Sequence, residues 1–119
     1  MNTVSLGPDN IIMAAYVGDQ TEDTITQTWK ETIPMVKELR DKGLPIKVIL
    51  DLSKLTGQNS SARRAARDVL LQLAPDKMAV IGANTFIRYL AGFIFKATNM
   101  EKNIKQFPEM KDAAAWINS

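Results

Sequence analysis

Two serines at the predicted start of a helix carry the clearest chemical signal in the chain. The apolar run Val48-Ile49-Leu50 ends at Asp51, and the polar loop that follows leads to Asn59, Ser60 and Ser61. Open α/β sheets place ligands, phosphates and partner contacts where a buried strand ends near a helix N-terminus. We therefore expect Asp51, Asn59, Ser60 and Ser61 to form a partner-binding or phosphoacceptor loop.

These polar residues also have structural explanations. Either serine can be the helix N-cap by accepting a bond from a free N–H of the first turn, which leaves the other hydroxyl exposed. Asp51 can accept N–H bonds from the loop and fix its path. A catalytic Asp51 would need a second acid or base, and the spacing shows none. We predict that at least one serine is the N-cap and that Asp51 is structural.

Three arginines, Arg63, Arg64 and Arg67, follow the serines on the same predicted helix. One interpretation is a solvated face on which Arg64 pairs with Asp68 at i,i+4 spacing. The other is an anion-binding site, because arginine in the first turn opposes the helix dipole unless an anion compensates. The sequence leaves both interpretations open.

The third predicted helix is apolar around most of its circumference. One face is assigned to the core and consists of Ile87, Leu90, Ala91 and Ile94. A second stripe, Phe86, Tyr89 and Phe93, is displaced by roughly a third of a turn. This second stripe is either an unusually wide core contact or an exposed patch for a dimer partner, a membrane or an apolar ligand.

Composition excludes several classes of chemistry. The 119 residues contain no Cys and no His, which removes cysteine nucleophiles, thiolate zinc sites and histidine bases or ligands. We predict no catalytic residues, no metal and no cofactor, and hence a protein that is not an enzyme. The net charge is +2 and the basic residues are dispersed, so nucleic-acid binding is not expected.

The ends and the overall hydropathy indicate where the chain functions. The N-terminus lacks the basic and apolar regions of a signal peptide. No segment approaches the roughly 20 apolar residues that span a bilayer. We expect a cytoplasmic protein, bacterial in style, without a transmembrane segment.

The hydrophobic pattern predicts one α/β domain over residues 1–119 in the order β-β-α-β-α-β-α-β-α. The opening hairpin is followed by helices and strands that alternate, which implies a mixed sheet with right-handed crossovers. Pro34 lies inside the first helix and is expected to kink or split it. The buried stripe of that helix is predicted to be Ile25, Trp29, Ile33 or Thr32, Val36 and Leu39.

With this element order and loop, the chain resembles the STAS domain family of sulfate transporters and anti-sigma-factor antagonists. Family members have an apolar strand that ends in Asp or Asn and a loop that reaches Asp-Ser-Ser/Thr-Gly at the next helix. Asp51 and the segment Asn59-Ser60-Ser61-Ala62 stand at these positions, with Asn59 replacing the acidic residue and Ala62 the glycine. The closing segment Phe107–Ile117 is similar to an antagonist-like branch that has lipid-binding relatives.

The resemblance implies a STAS-like fold and, by analogy with classical antagonists, phosphorylation of Ser60 by a partner kinase. We predict a non-catalytic regulatory module that presents the Asn59-Ser60-Ser61 loop to a regulatory protein, or that self-associates as a dimer. The alternative is a small-molecule carrier. It would hold an apolar ligand such as a lipid against Phe86, Tyr89 and Phe93, with an anionic head near Arg63 or Arg88.

Overall fold

A five-stranded sheet forms the centre of the computed structural model. The structure describes the backbone of all 119 residues and every side chain except those of Phe86, Tyr89, Leu90 and Phe93. The sheet has the strand order β1-β2-β4-β6-β7, in which β1 is antiparallel to β2 and all other neighbours are parallel. Its strands are β1 (Thr3–Leu6), β2 (Ile11–Ala15), β4 (Lys47–Asp51), β6 (Lys77–Ile81) and β7 (Ile104–Phe107).

Three crossover helices cover one face of this sheet, and a fourth helix covers the other. The parallel strands follow each other across the sheet in chain order, so right-handed crossovers bring the three helices to the same face. The last helix follows the final strand and packs on the opposite face against β6 and β4. The helices are α1 (Glu22–Asp41), α2 (Ser60–Leu73), α3 (Thr85–Ala97) and α4 (Met110–Ile117).

Alternate residues of the central strands supply the two cores. Ile12, Val48 and Val80 point to the three-helix face, whereas Ile49 and Ala79 point to α4. Trp29 packs in the first core and Trp116 in the second, so the two tryptophans lie on opposite faces of the sheet. The predicted α/β class with a mixed sheet is confirmed by this arrangement.

The first helix is continuous from Glu22 to Asp41, so Pro34 does not split it. Pro34 and Lys30 are both exposed, so the Lys30 carbonyl that loses its helical N–H partner can bond water instead. The buried stripe runs through Thr28 and Thr32, while Ile33 is 45% exposed. Each threonine hydroxyl bonds the carbonyl four residues earlier, which allows its burial.

Two further strands were missed by the sequence analysis. β3 (Gly18–Gln20) and β5 (Leu55–Gln58) pair in parallel as a separate two-stranded sheet beside the carboxyl end of β4. The hydroxyl of Thr56 donates to Asp19 Oδ1 at 2.6 Å and joins the two strands a second time. The buried Gln20 amide and Asn2 exchange two hydrogen bonds of 2.8 and 3.0 Å, which fixes β3 against the start of the chain.

Gly82 packs directly against the loop that follows β4. Its φ of +75° lies in the left-handed region, and a Cβ atom there would lie 2.6 Å from Ser53 Cβ and 2.9 Å from the Ser53 backbone nitrogen. The Leu52 N–H donates to the Ile81 carbonyl at 2.9 Å at the same crossing. The close approach of these two loops therefore requires glycine at position 82.

We predict that Gly82→Ala lowers the free energy of unfolding by about 3 kcal/mol, because it adds backbone strain and displaces Ser53. The matched control is Gly43→Ala, where φ is +70° and no atom lies within 4 Å of the added Cβ. The control should lose only about 1 kcal/mol. Urea denaturation measures both values, and equal losses would contradict the close-approach explanation.

Candidate functional site

The loop between β4 and α2 lies at the carboxyl edge of the parallel strands. β4 ends at Asp51, whose neighbours across the sheet are Ala15 and Ile81. Asp51 Oδ1 accepts the Ser53 N–H at 2.8 Å, and the Asp51 carbonyl accepts the Tyr16 N–H at 3.1 Å. The Asp51 carboxylate thus bonds the turn that leads into β5. Among the described side chains it forms no ion pair.

Asn59, rather than either serine, is the N-cap of α2. Its Oδ1 accepts the Ala62 N–H at 2.8 Å and the Ser61 hydroxyl at 2.9 Å. The prediction that Ser60 or Ser61 caps the helix is therefore wrong. The helix begins one residue earlier than the serine caps require, and asparagine is an equally good N-cap. Asn59, at the position where STAS domains have an acidic residue, thus has a defined structural role as the N-cap.

Ser60 is the first residue of α2 and is exposed. Within the described residues its hydroxyl makes no hydrogen bond, whereas the Ser61 hydroxyl is bonded to Asn59. The backbone N–H groups of the first helical turn have no partners four residues earlier, and the helix dipole is positive at this end. The two serines are therefore chemically different, and Ser60 is the one whose oxygen is free to react.

The three arginines are not equivalent either. Arg63 and Arg64 lie three and four residues after Ser60, on the same side of the helix. In the part of the chain that is described, neither has a carboxylate within 4 Å. Arg67 contacts Asp68 at 3.5 Å on an exposed surface, so the predicted Arg64–Asp68 pair is wrong. Arg63 and Arg64 are thus two cations one helical turn after Ser60, and described side chains do not neutralise their charges.

A cavity of about 120 Å³ lies between the sheet and helices α1, α2 and α3. Tyr16, directly after β2, and Gln58, at the end of β5, both contribute to its wall. Burial raises the pKa of the Tyr16 phenol to about 12. One wall of the cavity is therefore formed by α2, the helix that begins at Ser60.

Sequence analysis did not identify Tyr16, Gln58 or Gly82 as important. Gly82 directly follows a short apolar strand, and this pattern is a usable signal for a close backbone approach. Tyr16 lies directly after β2, which ends at Ala15, and no sequence pattern marks it. Gln58 lies in a strand too short and polar for its alternation to be detected.

The stripe proposed for self-association or an apolar ligand, Phe86, Tyr89 and Phe93, lies outside the described side chains. It therefore remains a prediction. Ile87 on the same helix is buried, as expected for the core face. Within the described residues, no helix combines the length and the apolar character needed to cross a membrane. The same residues contain no group of three carboxylates that could hold a metal ion.

Comparison with known proteins supports the fold alone. Neither a family model nor a curated protein matches the chain. An uncharacterised DUF3478-family protein with a SpoIIAA-like fold from Shewanella loihica PV-4 is 18% identical, with a TM-score of 0.66 over 98% of this chain and 92% of that one. The anti-sigma factor antagonist SpoIIAA in its unphosphorylated form is 9% identical, with a TM-score of 0.65 over 97% of this chain and 94% of that one.

The Bacillus cell fate determinant SpoIIAA in its phosphorylated form matches equally well. It is 10% identical, with a TM-score of 0.65 over 98% of this chain and 99% of the other. These observations define the fold class as α/β, with a mixed parallel and antiparallel sheet that has helices on both faces. Within that class the chain has a SpoIIAA-like fold, and the resemblance to STAS domains is confirmed at the level of the fold.

We predict that the contribution of Tyr16 to stability changes with pH only above pH 10. Burial raises the folded-state pKa of Tyr16 from 10.0 to about 12. Below pH 10 the phenol is protonated in both states, and its contribution is constant. Between pH 10 and 12 the unfolded chain ionises first, so the free energy of unfolding falls by about 1.4 kcal/mol per pH unit.

Chemical denaturation of the wild type and of Tyr16→Phe between pH 8 and pH 12 checks this prediction. The other titrating groups are common to both proteins, so their effects cancel in the difference between the two free energies of unfolding. The difference in free energy of unfolding between the wild type and Tyr16→Phe should be constant up to pH 10 and then change in favour of the variant. A pH-independent difference would show that the Tyr16 phenol is as solvated in the folded protein as in the unfolded chain.

Proposed function

We propose that residues 1–119 are a single STAS-like domain that acts as a non-catalytic regulatory module. Its contact surface is the Asn59–Ser61 loop and the first two turns of α2, presented to a protein partner. Phosphorylation of Ser60 controls that contact. The observation that carries the proposal is the free, exposed hydroxyl of Ser60 with Arg63 and Arg64 one turn further along.

A phosphate on Ser60 would be stabilised at this place. It would add a charge of about −2 beside the unpaired N–H groups and the positive end of the α2 dipole. Arg63 and Arg64 are spaced to reach it from the same side of the helix. Their unfavourable position in the first turn then becomes favourable, because the anion offsets the repulsion between the arginines and the helix dipole.

The surroundings suit a contact surface better than a reaction site. Asp51 bonds the Ser53 backbone, and the chain has no histidine or cysteine to activate a nucleophile. The loop is held by Gly82 below and by β3 alongside, so little ordering entropy is lost when a partner binds. The fold likeness supports the same function, since SpoIIAA is an anti-sigma factor antagonist known in phosphorylated and unphosphorylated forms.

Phosphorylation-site mapping tests this proposal. We expect tagged protein purified from its own source cells with phosphatase inhibitors to carry phosphate on Ser60. Ser60→Ala should remove the phosphate, whereas the matched control Ser61→Ala should keep it, because that hydroxyl is bonded to Asn59. Phosphate retained in Ser60→Ala, or complete absence of phosphate from the wild type under all growth conditions, would contradict the proposal.

A further inference from the structure

On the three-helix side of the sheet, the described side chains leave a space that they do not fill. Alanines from three different walls, Ala14 of β2, Ala66 of α2 and Ala91 of α3, line the cavity of about 120 Å³. Leu50 also lines it and is only partly buried, although it lies in the central strand beside the fully packed Ile49. Small side chains facing each other thus leave a void where close packing is the rule.

The cavity has one polar end. Within the described side chains, neither the Tyr16 hydroxyl nor the Gln58 amide makes a hydrogen bond. The other described polar groups in the wall already have partners. Gln20 bonds Asn2 and Thr24, the Thr28 and Thr32 hydroxyls each bond the carbonyl four residues earlier, and the Trp29 indole N–H donates to Gln72. Among the described lining residues, two hydrogen-bonding groups therefore remain without a partner: that of Tyr16, directly after β2, and that of Gln58, the last residue of β5.

The charge and size of the cavity define what could occupy it. No described lining residue is charged, so an ion would lose its hydration without compensation. A dry apolar cavity of roughly 150 Å³ binds benzene in an engineered protein, so 120 Å³ suits a molecule of single-ring size. A hydrogen-bonding group on that molecule would satisfy Tyr16 or Gln58, which water otherwise has to do.

We propose that this cavity binds a small, neutral, mostly apolar molecule of single-ring size that carries one hydrogen-bonding group. Tyr16 and Gln58 hold that group, and Ala14, Ala66 and Ala91 make room for the ring. The site lies between the sheet and helices α1, α2 and α3, whereas the Ser60 hydroxyl is exposed, so this proposal does not rest on the proposed phosphorylation. It also differs from the carrier predicted from sequence, whose ligand had an anionic head.

Phenol and benzene are the probes that test this, because they differ only in the hydroxyl. We expect both to bind the wild type in NMR titrations, with shifts at cavity-lining residues, and to raise its Tm. Tyr16→Phe should weaken phenol binding about fivefold, the effect of one lost hydrogen bond, and leave benzene binding unchanged. Ala66→Leu, which fills the cavity from α2, should abolish binding of both.

Ala14→Leu fills the same cavity from the sheet and decides the question if Ala66→Leu does not fold. The proposal is overturned if neither probe shifts the cavity residues, or if both probes still bind the folded filled variant. Equal weakening of phenol and benzene by Tyr16→Phe would overturn the assignment of the hydrogen bond. Phosphate mapping on Ser60 is unaffected by any of these results.

Discussion

The close crossing of two loops at the carboxyl edge of the sheet is the constraint on which the candidate site depends. Gly82, after β6, lies so close to Ser53 that a side chain at position 82 would overlap with it. The loop after β4 is thereby held against the sheet at one end, and at the other its strand β5 pairs with β3. α2 then begins at a defined place and in a defined direction.

At the start of α2 the N-cap hydrogen bond is formed, whereas the positive charges of the nearby arginines are not neutralised by described side chains. Asn59 satisfies one free N–H and accepts the Ser61 hydroxyl, which leaves Ser60 without a structural role among the described side chains. Arg63 and Arg64 bring positive charge to an end that is already positive, at a cost to helix stability that an anion reverses. The same helix lines the internal cavity through Ala66 and Val69. A single element therefore faces both a surface suited to a phosphate and a core suited to a small neutral molecule.

The sequence predicts the central architecture because long apolar runs leave little choice. Val48-Ile49-Leu50 has no polar face and must form a strand covered on both sides, as observed. β3 and β5 escaped prediction because they are short, contain glycine and obtain their stability from pairing with each other. Thr28 escaped prediction because threonine is buried there through a helix-internal hydrogen bond, as is Thr32, which the pattern offered as the alternative to Ile33. The N-cap was assigned one residue late, since Asn59, Ser60 and Ser61 are all good caps and only the backbone path distinguishes them.

Site-specific photo-crosslinking in the source cells tests the central claim most directly, that the start of α2 contacts a protein partner. A benzophenone amino acid replaces the exposed Arg64, one turn after Ser60, and in a matched control replaces the exposed Lys111 on the opposite face of the sheet. The account predicts one dominant crosslinked protein from position 64 and none from position 111. No product from position 64, or the same product from both positions, would contradict it.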